Sequence, residues 1–153
     1  LRICAPSIYH DPGSMLADCV LNYDHPVLFV ENKRSYPTKI QIEDKINDKN
    51  IHRVVLNNDN LSSQTVLLSL YPDEDPDTVI ITYGGMAEVA LNAAIDLFFE
   101  DEIIENVIVL SVIRPIPIED FLSQVKISKR CLILENILKI HHYLNMARRL
   151  HKG

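Results

Sequence analysis

Long apolar runs are missing from this sequence, and their absence excludes one class of protein. Its uninterrupted apolar stretches, such as residues 27–30 and 107–110, are far shorter than the ~20 residues that a membrane-spanning helix requires. The sequence therefore predicts a protein that does not cross a membrane.

Cysteine is scarce in this sequence. The three cysteines (Cys4, Cys19 and Cys131) are spaced too widely for a zinc-binding or redox motif, so we expect reduced, mostly buried thiols.

Negative charge outweighs positive charge, and the net charge of −6 argues against nucleic acid as a main partner. Residues 1–20 lack the residue succession of a secretion signal, so we expect a cytoplasmic location, or an organelle matrix in a eukaryote.

Residues 1–37 are predicted to form a strand, a helix and a second strand. Asp11 precedes Pro12, which is the order expected of an N-cap followed by the first helical residue. The apolar positions that follow at helical spacing are Met15, Leu16, Cys19, Val20 and Tyr23. Residues 26–30 form a continuous apolar run of the kind that is buried on both faces of a sheet.

This first segment is too small to fold alone, since two strands and one helix cannot cover a sheet on both faces. It must pack against the rest of the chain, another copy or further sequence. Because the sequence opens on Leu1 directly into a strand, we expect a piece of a longer protein.

Residues 38–77 show a weaker pattern and are interpreted as a connector. They hold a polar stretch, one expected strand at 54–56 and a second apolar run at 66–70. Two prolines among acidic residues at 72–77 are typical of the end of a linker, and we place a domain boundary there.

Residues 78–153 show a regular alternation of strands and helices. Strands are expected at 79–81, 107–110 and 131–134, with a final helix near the end of the chain. The helix after the first of these strands is expected to turn one apolar face inward, formed by Met86, Val89, Ala90, Ala93, Ala94, Leu97 and Phe98. The next helix is expected to turn Ile118, Leu122 and Val125 inward. Apolar strands alternating with helices predict the α/β class, with a parallel sheet covered on both sides.

A glycine pair gives one candidate binding site. Tyr83, Gly84 and Gly85 follow a strand and precede a helix, where α/β proteins often bind ligands. The backbone N–H groups could hold an anion at the helix N-terminus, or the glycines could only permit a tight turn. No third glycine and no Lys-Ser/Thr pair follows, which favours the turn.

Two glutamates also end expected strands. Burial would raise the pKa of Glu31 or Glu135 toward the range of a general acid or base. Neither has a partner at a fixed spacing, so solvated or ion-paired carboxylates are the favoured interpretation.

The last expected helix carries two adjacent histidines and several cations. His141 and His142 point ~100° apart on a helix and lack the His-x-x-x-His spacing of zinc sites, so surface positions are favoured. The basic residues could bind an acidic partner or could only complement the helix dipole; they are Lys139, Arg148, Arg149 and Lys152. The residues alone predict no catalytic set and no metal site.

Two blocks of this sequence resemble one family. ICAPS at 3–7 and HPVLFVENKRSY at 25–36 resemble the second half of the pyrimidine-binding domain of thiamine diphosphate enzymes, above all the beta subunit of 2-oxo acid dehydrogenases. DTVIITYGGMAEVALNAA at 77–94, SVIRPIPIED at 111–120 and CLILEN at 131–136 are similar to the transketolase C-terminal domain, which follows in those proteins. The resemblance implies a three-layer, parallel-sheet transketolase C-terminal-like domain at 78–153, preceded by a partial pyrimidine-binding unit at 1–37.

The resemblance also implies a cofactor and partners for the parent enzyme. That enzyme would use thiamine diphosphate together with Mg²⁺. The ylid of the thiamine diphosphate would attack a 2-oxo acid, and the acyl group would then pass to a lipoyl domain. Its partners would be an alpha subunit, a second beta subunit and a lipoyl acyltransferase core. The family's cofactor-contacting glutamate and substrate-side histidine have no counterpart in this sequence. We therefore assign no catalytic or cofactor-binding residue and expect no cofactor to bind this chain alone.

Three functions follow as hypotheses. The first is a non-catalytic part of a thiamine diphosphate-dependent 2-oxo acid dehydrogenase or transketolase relative, which contributes subunit contact and docking. The second is a stand-alone binding or scaffold protein of the same fold. The third is a small anion- or nucleotide-binding protein that uses the turn at 83–85.

Overall fold

The structure is a computed structural model that describes residues 1–46, 50–57 and 63–135. The strands in this part of the chain are Arg2–Cys4 (β1), Val27–Phe29 (β2), Lys45–Ile46 (β3), Ile51–Val55 (β4), Thr65–Ser69 (β5), Thr78–Tyr83 (β6), Glu105–Leu110 (β7), Val112–Arg114 (β8) and Arg130–Ile133 (β9). The α-helices are Pro12–Asn22 (α1), Met86–Asp101 (α2) and Ile118–Ile127 (α3). The predicted α/β class is confirmed.

The main sheet is mixed rather than wholly parallel, which corrects the expectation from the sequence. Its strand order is β3-β4-β5-β7-β6-β9. Strands β7, β6 and β9 run parallel to one another, whereas the pairs β3–β4, β4–β5 and β5–β7 are antiparallel. Strands β5 and β7 are buried along their whole length, so a continuous apolar run cannot reveal the direction of pairing here.

Each face of the main sheet carries its own layer of packed side chains. Alternate residues of a strand point to opposite faces, so Val107 and Val109 of β7 pack on one side and Ile108 on the other. Helix α2 covers the first face, and α3 covers the second through Phe121. The main sheet is thus packed on both faces around β5, β7 and β6.

The buried faces of these two helices differ from the expectation. The fully buried positions of α2 are Ala87, Ala90, Leu91, Ala94 and Ile95. Val89, which was expected inside, is 52% exposed. In α3, Phe121 is the buried residue and Ile118 is 42% exposed, whereas Leu122 and Val125 are half-buried. The apolar residues of α2 cover more than one side of the helix, so periodicity alone leaves the rotation of the helix open.

Helix α3 is fixed to the main sheet by a carboxylate near its start. Thr65 of β5 donates from Oγ1 to Asp120 Oδ2 at 2.9 Å, and Asn57 donates from Nδ2 to Asp120 Oδ1 at 3.1 Å. The sequence places this acid in the first turn, where the helix dipole favours it. The structure adds a tertiary role, since the carboxylate also ties α3 to the strand beneath it.

A second, smaller sheet joins the first two strands of the chain to β8, which follows β7. Its order is β2-β1-β8. Strands β1 and β2, which precede and follow α1 in the chain, are parallel to each other, and β8 is antiparallel to β1. The expected complete burial of β2 is wrong, because Leu28 is 50% exposed. Strand β8 was not expected from the sequence. It follows β7 after Ser111 and pairs with β1.

Residues 38–77, interpreted as a connector, contribute β3, β4 and β5 to the main sheet. Strand β5 pairs with β7 through four residue pairs, from Thr65 with Leu110 to Leu68 with Val107. The sheet therefore runs without interruption across residue 77.

The chain after β9 is not described beyond residue 135. The expected last helix, with His141, His142 and the basic residues of that segment (Lys139, Arg148, Arg149 and Lys152), lies outside the described residues. Within the described ranges, no helix has the length and apolar character needed to cross a bilayer.

Candidate functional site

The glycine pair that the sequence singled out lies between β6 and α2. Gly84 has a φ of +54°, a left-handed conformation that glycine adopts without a Cβ clash, and the Gly84 carbonyl accepts from Ala87 N at 3.3 Å. Gly85 occupies the N-cap position with no side-chain capping bond. These glycines form the tight turn that was one of the two alternatives for this motif.

Asn32, at the end of β2, packs on this turn. Its Oδ1 accepts from Arg34 N at 3.0 Å, which starts the short 3-10 helix Lys33–Ser35. A Cβ atom at Gly85 would overlap Asn32 Nδ2 and would lie 2.8 Å from Asn32 Cγ. The glycine therefore permits close contact between the two blocks of sequence.

The strand-end glutamates have separate surroundings. Glu31 is exposed and accepts from Tyr36 Oη at 2.6 Å. That hydrogen bond, together with the negative charge of Glu31, raises the pKa of Tyr36. Glu135 is half-buried at the end of β9 and has no side-chain hydrogen bond or ion pair to another described residue. The structure does not join the two carboxylates into an acid–base pair.

A buried polar cluster that the sequence did not reveal lies in the loop between β1 and α1. His10 is fully buried, and its Nδ1 accepts from Ser7 N at 3.1 Å and lies 3.0 Å from Ser7 Oγ. Burial, followed by the positive charge of Arg53, lowers the pKa of His10 to about 3. The imidazole is neutral at physiological pH, and both residues are shielded from solvent. The pair therefore holds the loop in shape and does not present a nucleophile.

Arg53 of β4 holds two other segments in place. Its Nε donates to the Tyr9 carbonyl at 2.9 Å and its Nη1 donates to the Ile42 carbonyl at 3.1 Å. Burial lowers the pKa of Arg53, and Asp44 acts against that shift. No pattern in the sequence could have indicated this role, because the three residues lie far apart along the chain.

The described residues line two cavities, one beside Arg53 and one at the opposite edge of the main sheet. One, of about 250 Å³, is lined by Arg53, Gln64 and Asp11 among others. Asp11 has its own partners there, since its carboxylate accepts from Ser14 N at 3.1 Å and from Ser14 Oγ at 2.7 Å. The other cavity, of about 390 Å³, lies at the N-terminal ends of β6 and β9 beside the Lys129–Asp77 ion pair. That edge is opposite to the one where open α/β sheets usually bind ligands.

Metal-ligating side chains do not converge in the described part of the chain. Among those residues there is no group of three or more His, Cys, Asp or Glu side chains that could hold an ion. Cys131 is exposed on β9, whereas Cys4 and Cys19 are buried.

An exposed apolar stripe on α1 is the surface that stands out. Leu16, Val20 and Leu21, here called the α1 stripe, are 44%, 72% and 78% exposed. Met15 and Cys19 of the same helix are buried. Helix α1 therefore has apolar side chains beyond those that it buries, and the described residues leave the α1 stripe largely uncovered.

No protein-family model matches the sequence, and no curated protein sequence is significantly similar to it.

Proposed function

We propose that this chain is a non-catalytic part of a thiamine diphosphate-dependent 2-oxo acid dehydrogenase beta subunit, or of a transketolase-like relative, and that it contributes subunit contact and docking. The observation that carries the contact role is the α1 stripe. Two leucines and a valine on one helix are exposed to water. Leaving a Val or Leu side chain fully exposed rather than buried is unfavourable by roughly 1.5–3 kcal/mol. Exposed apolar surface of this kind is typical of a protein interface.

Support for the family comes from the two resembling blocks. The first block contains Asn32, the second contains Gly85, and these residues are in contact. Ala5 of the first block donates from its backbone N to the Ser111 carbonyl of the second at 2.7 Å. The resembling segments therefore belong to one contact surface, as is expected of neighbouring domains in one enzyme.

The decisive experiment asks which partner the chain binds. The purified chain is immobilised, and a native extract of its source is passed over it. The eluate is then assayed for thiamine diphosphate-dependent decarboxylation of 2-oxo acids. We expect a retained decarboxylase subunit and its activity. An eluate without this activity, from an extract that has it, contradicts the proposal.

The matched control uses two exposed apolar positions on different helices. Val20→Lys changes the α1 stripe, whereas Val89→Lys changes an exposed valine of α2. We expect only the first substitution to abolish retention of the decarboxylase subunit. If both variants retain the decarboxylase subunit equally, the α1 stripe is not the surface that binds it.

Catalysis by the chain itself is tested directly. With thiamine diphosphate and Mg²⁺ supplied, we expect no decarboxylation of pyruvate or of longer 2-oxo acids above the rate without protein. Appreciable turnover would contradict the non-catalytic role.

A stand-alone scaffold protein is the second candidate, and one observation favours it. Residues 38–77 form three strands of the main sheet, so that sheet is continuous from the connector to β9. An antibody against the chain distinguishes the candidates by the mass of the native protein. A band at 17.5 kDa favours the scaffold, whereas a band at about twice that mass or more favours the enzyme subunit.

A further inference from the structure

Cys4 and Cys19 form a buried pair of thiols between β1 and α1. Their sulfur atoms are 3.9 Å apart, and the residues are 0% and 5% exposed. Val112 of β8 completes this small core, and Val27 and Phe29 pack against it. The position of each thiol is thus set by an element of regular structure.

The separation of the sulfur atoms is close to what a disulfide needs. A disulfide bond is about 2.05 Å long, so each sulfur would have to move by only about 0.9 Å. A small rotation of either side chain about its Cα–Cβ bond produces a movement of that size. No other side chain lies between the two atoms, since they are already in contact.

We propose that Cys4 and Cys19 are a reversible dithiol–disulfide pair, oxidised by hydrogen peroxide, whose disulfide cross-links β1 to α1. Cys19 is the more accessible of the two, so it reacts first. Its thiolate attacks hydrogen peroxide, the O–O bond breaks, and the products are a sulfenic acid and hydroxide, which takes up the proton released by the Cys19 thiol and becomes water. The Cys4 sulfur then attacks the Cys19 sulfur, the S–S bond forms, and hydroxide leaves with the Cys4 proton as water. One peroxide is reduced to two waters while two thiols are oxidised to one disulfide.

The surroundings of Cys4 make this a slow reaction. Burial, followed by the neighbouring Cys19, raises the pKa of the Cys4 thiol to about 11, so the thiol carries its proton at neutral pH. A buried, protonated thiol is a poor catalyst of disulfide exchange. The pair therefore suits a lasting cross-link that forms during sustained exposure to peroxide.

Cys131 provides the internal comparison. It is exposed on β9, and no second cysteine is placed beside it by the structure. Peroxide should convert it to higher oxides or to links between molecules, whereas Cys4 and Cys19 should yield an intramolecular link.

The experiment treats the reduced full-length Cys131→Ser variant with hydrogen peroxide and then blocks free thiols under denaturing conditions. Peptide mass mapping should show a peptide with Cys4 linked to Cys19, lighter by two hydrogen atoms, and dithiothreitol should restore both thiols. The link should also raise Tm by roughly 5–15 °C, since it constrains the unfolded chain. Mapping that finds both cysteines still free, or each oxidised separately, would overturn the proposal.

A second variant guards against misreading the shift in Tm. Cys19→Ser removes one partner and should leave peroxide without effect on Tm. If this variant does not fold, the peptide map of the Cys131→Ser protein still decides the question, because it needs no change at either member of the pair.

Discussion

The side chain of Asn32 occupies the space that a Cβ atom at position 85 would need. This relationship joins the end of β2 to the start of α2, and therefore the small sheet to the main sheet. Asn32 is not free to move aside without cost, because its Oδ1 accepts the hydrogen bond from Arg34 N.

Gly85→Ala should lower the free energy of unfolding by about 2 kcal/mol, the size of effect typical of overpacking at a close contact. Urea denaturation measures this change. In an Asn32→Ala background the same substitution should cost less, since the overlapping amide is gone, with a coupling energy of roughly 1 kcal/mol. Gly84→Ala is the comparison, because its cost of about 1–2 kcal/mol comes from the left-handed backbone and should not depend on Asn32. Additive effects at positions 32 and 85 would contradict the contact.

Protonation of His10 in the unfolded chain should destabilise the folded protein as the pH falls, at pH values where carboxylates are still ionised. The pKa of His10 is about 3 in the folded protein, below its ordinary value near 6.5, so the unfolded chain binds the extra proton between these values. Stability is full above pH 6.5 and is lost as the pH falls, with a slope of up to about 1.4 kcal/mol per pH unit. Denaturation curves between pH 7 and pH 5 measure the slope. His10→Gln should remove it, whereas His25→Gln, at an exposed position, should leave it unchanged.

Arg53→Lys should destabilise the fold although it keeps the positive charge. A lysine ammonium cannot reproduce the fork that reaches the Tyr9 and Ile42 carbonyls, so at least one buried acceptor loses its donor. We expect a loss of about 2–3 kcal/mol in the free energy of unfolding, from guanidinium chloride titration. Arg34→Lys, at an exposed position, should change stability by less than about 0.5 kcal/mol. Similar losses for the two variants would show that the fork is unimportant.

Loss of the N-cap should weaken α1. Asp11→Ala removes the acceptor for Ser14 N and should cost about 1 kcal/mol. Asp11→Asn keeps an oxygen acceptor and should recover most of that stability. Thermal denaturation followed by circular dichroism compares the three proteins, and an asparagine variant as unstable as the alanine variant would argue against the capping bond.

Local features of this fold could be predicted from the sequence, and long-range ones could not. Asp11 and Pro12 gave the start of α1 because capping depends on neighbouring residues. Strands β6 and β7 were recognised from their apolar runs. The direction of β5 relative to β7, and the existence of β8, depend on pairing with strands far away in the sequence.

The same distinction holds for the candidate site. The turn at Gly84 and Gly85 was visible as a glycine pair after a strand. The packing of Asn32 on Gly85 was not, because nothing local marks an asparagine that contacts a helix more than fifty residues away. His10 and Arg53 were missed for the same reason, since their roles come from burial that only the assembled sheet provides.

The antiparallel pairing of β1 with β8 has a consequence for the order of folding. Cys4 is paired with Val112, which follows it by more than a hundred residues. During synthesis the first strand leaves the ribosome long before its neighbour exists, and closing such a long loop is entropically expensive. The small sheet should therefore assemble late, after β6, α2 and β7 have formed around their local contacts. Until then the two thiols beneath α1 remain open to chaperones, oxidants and other chains.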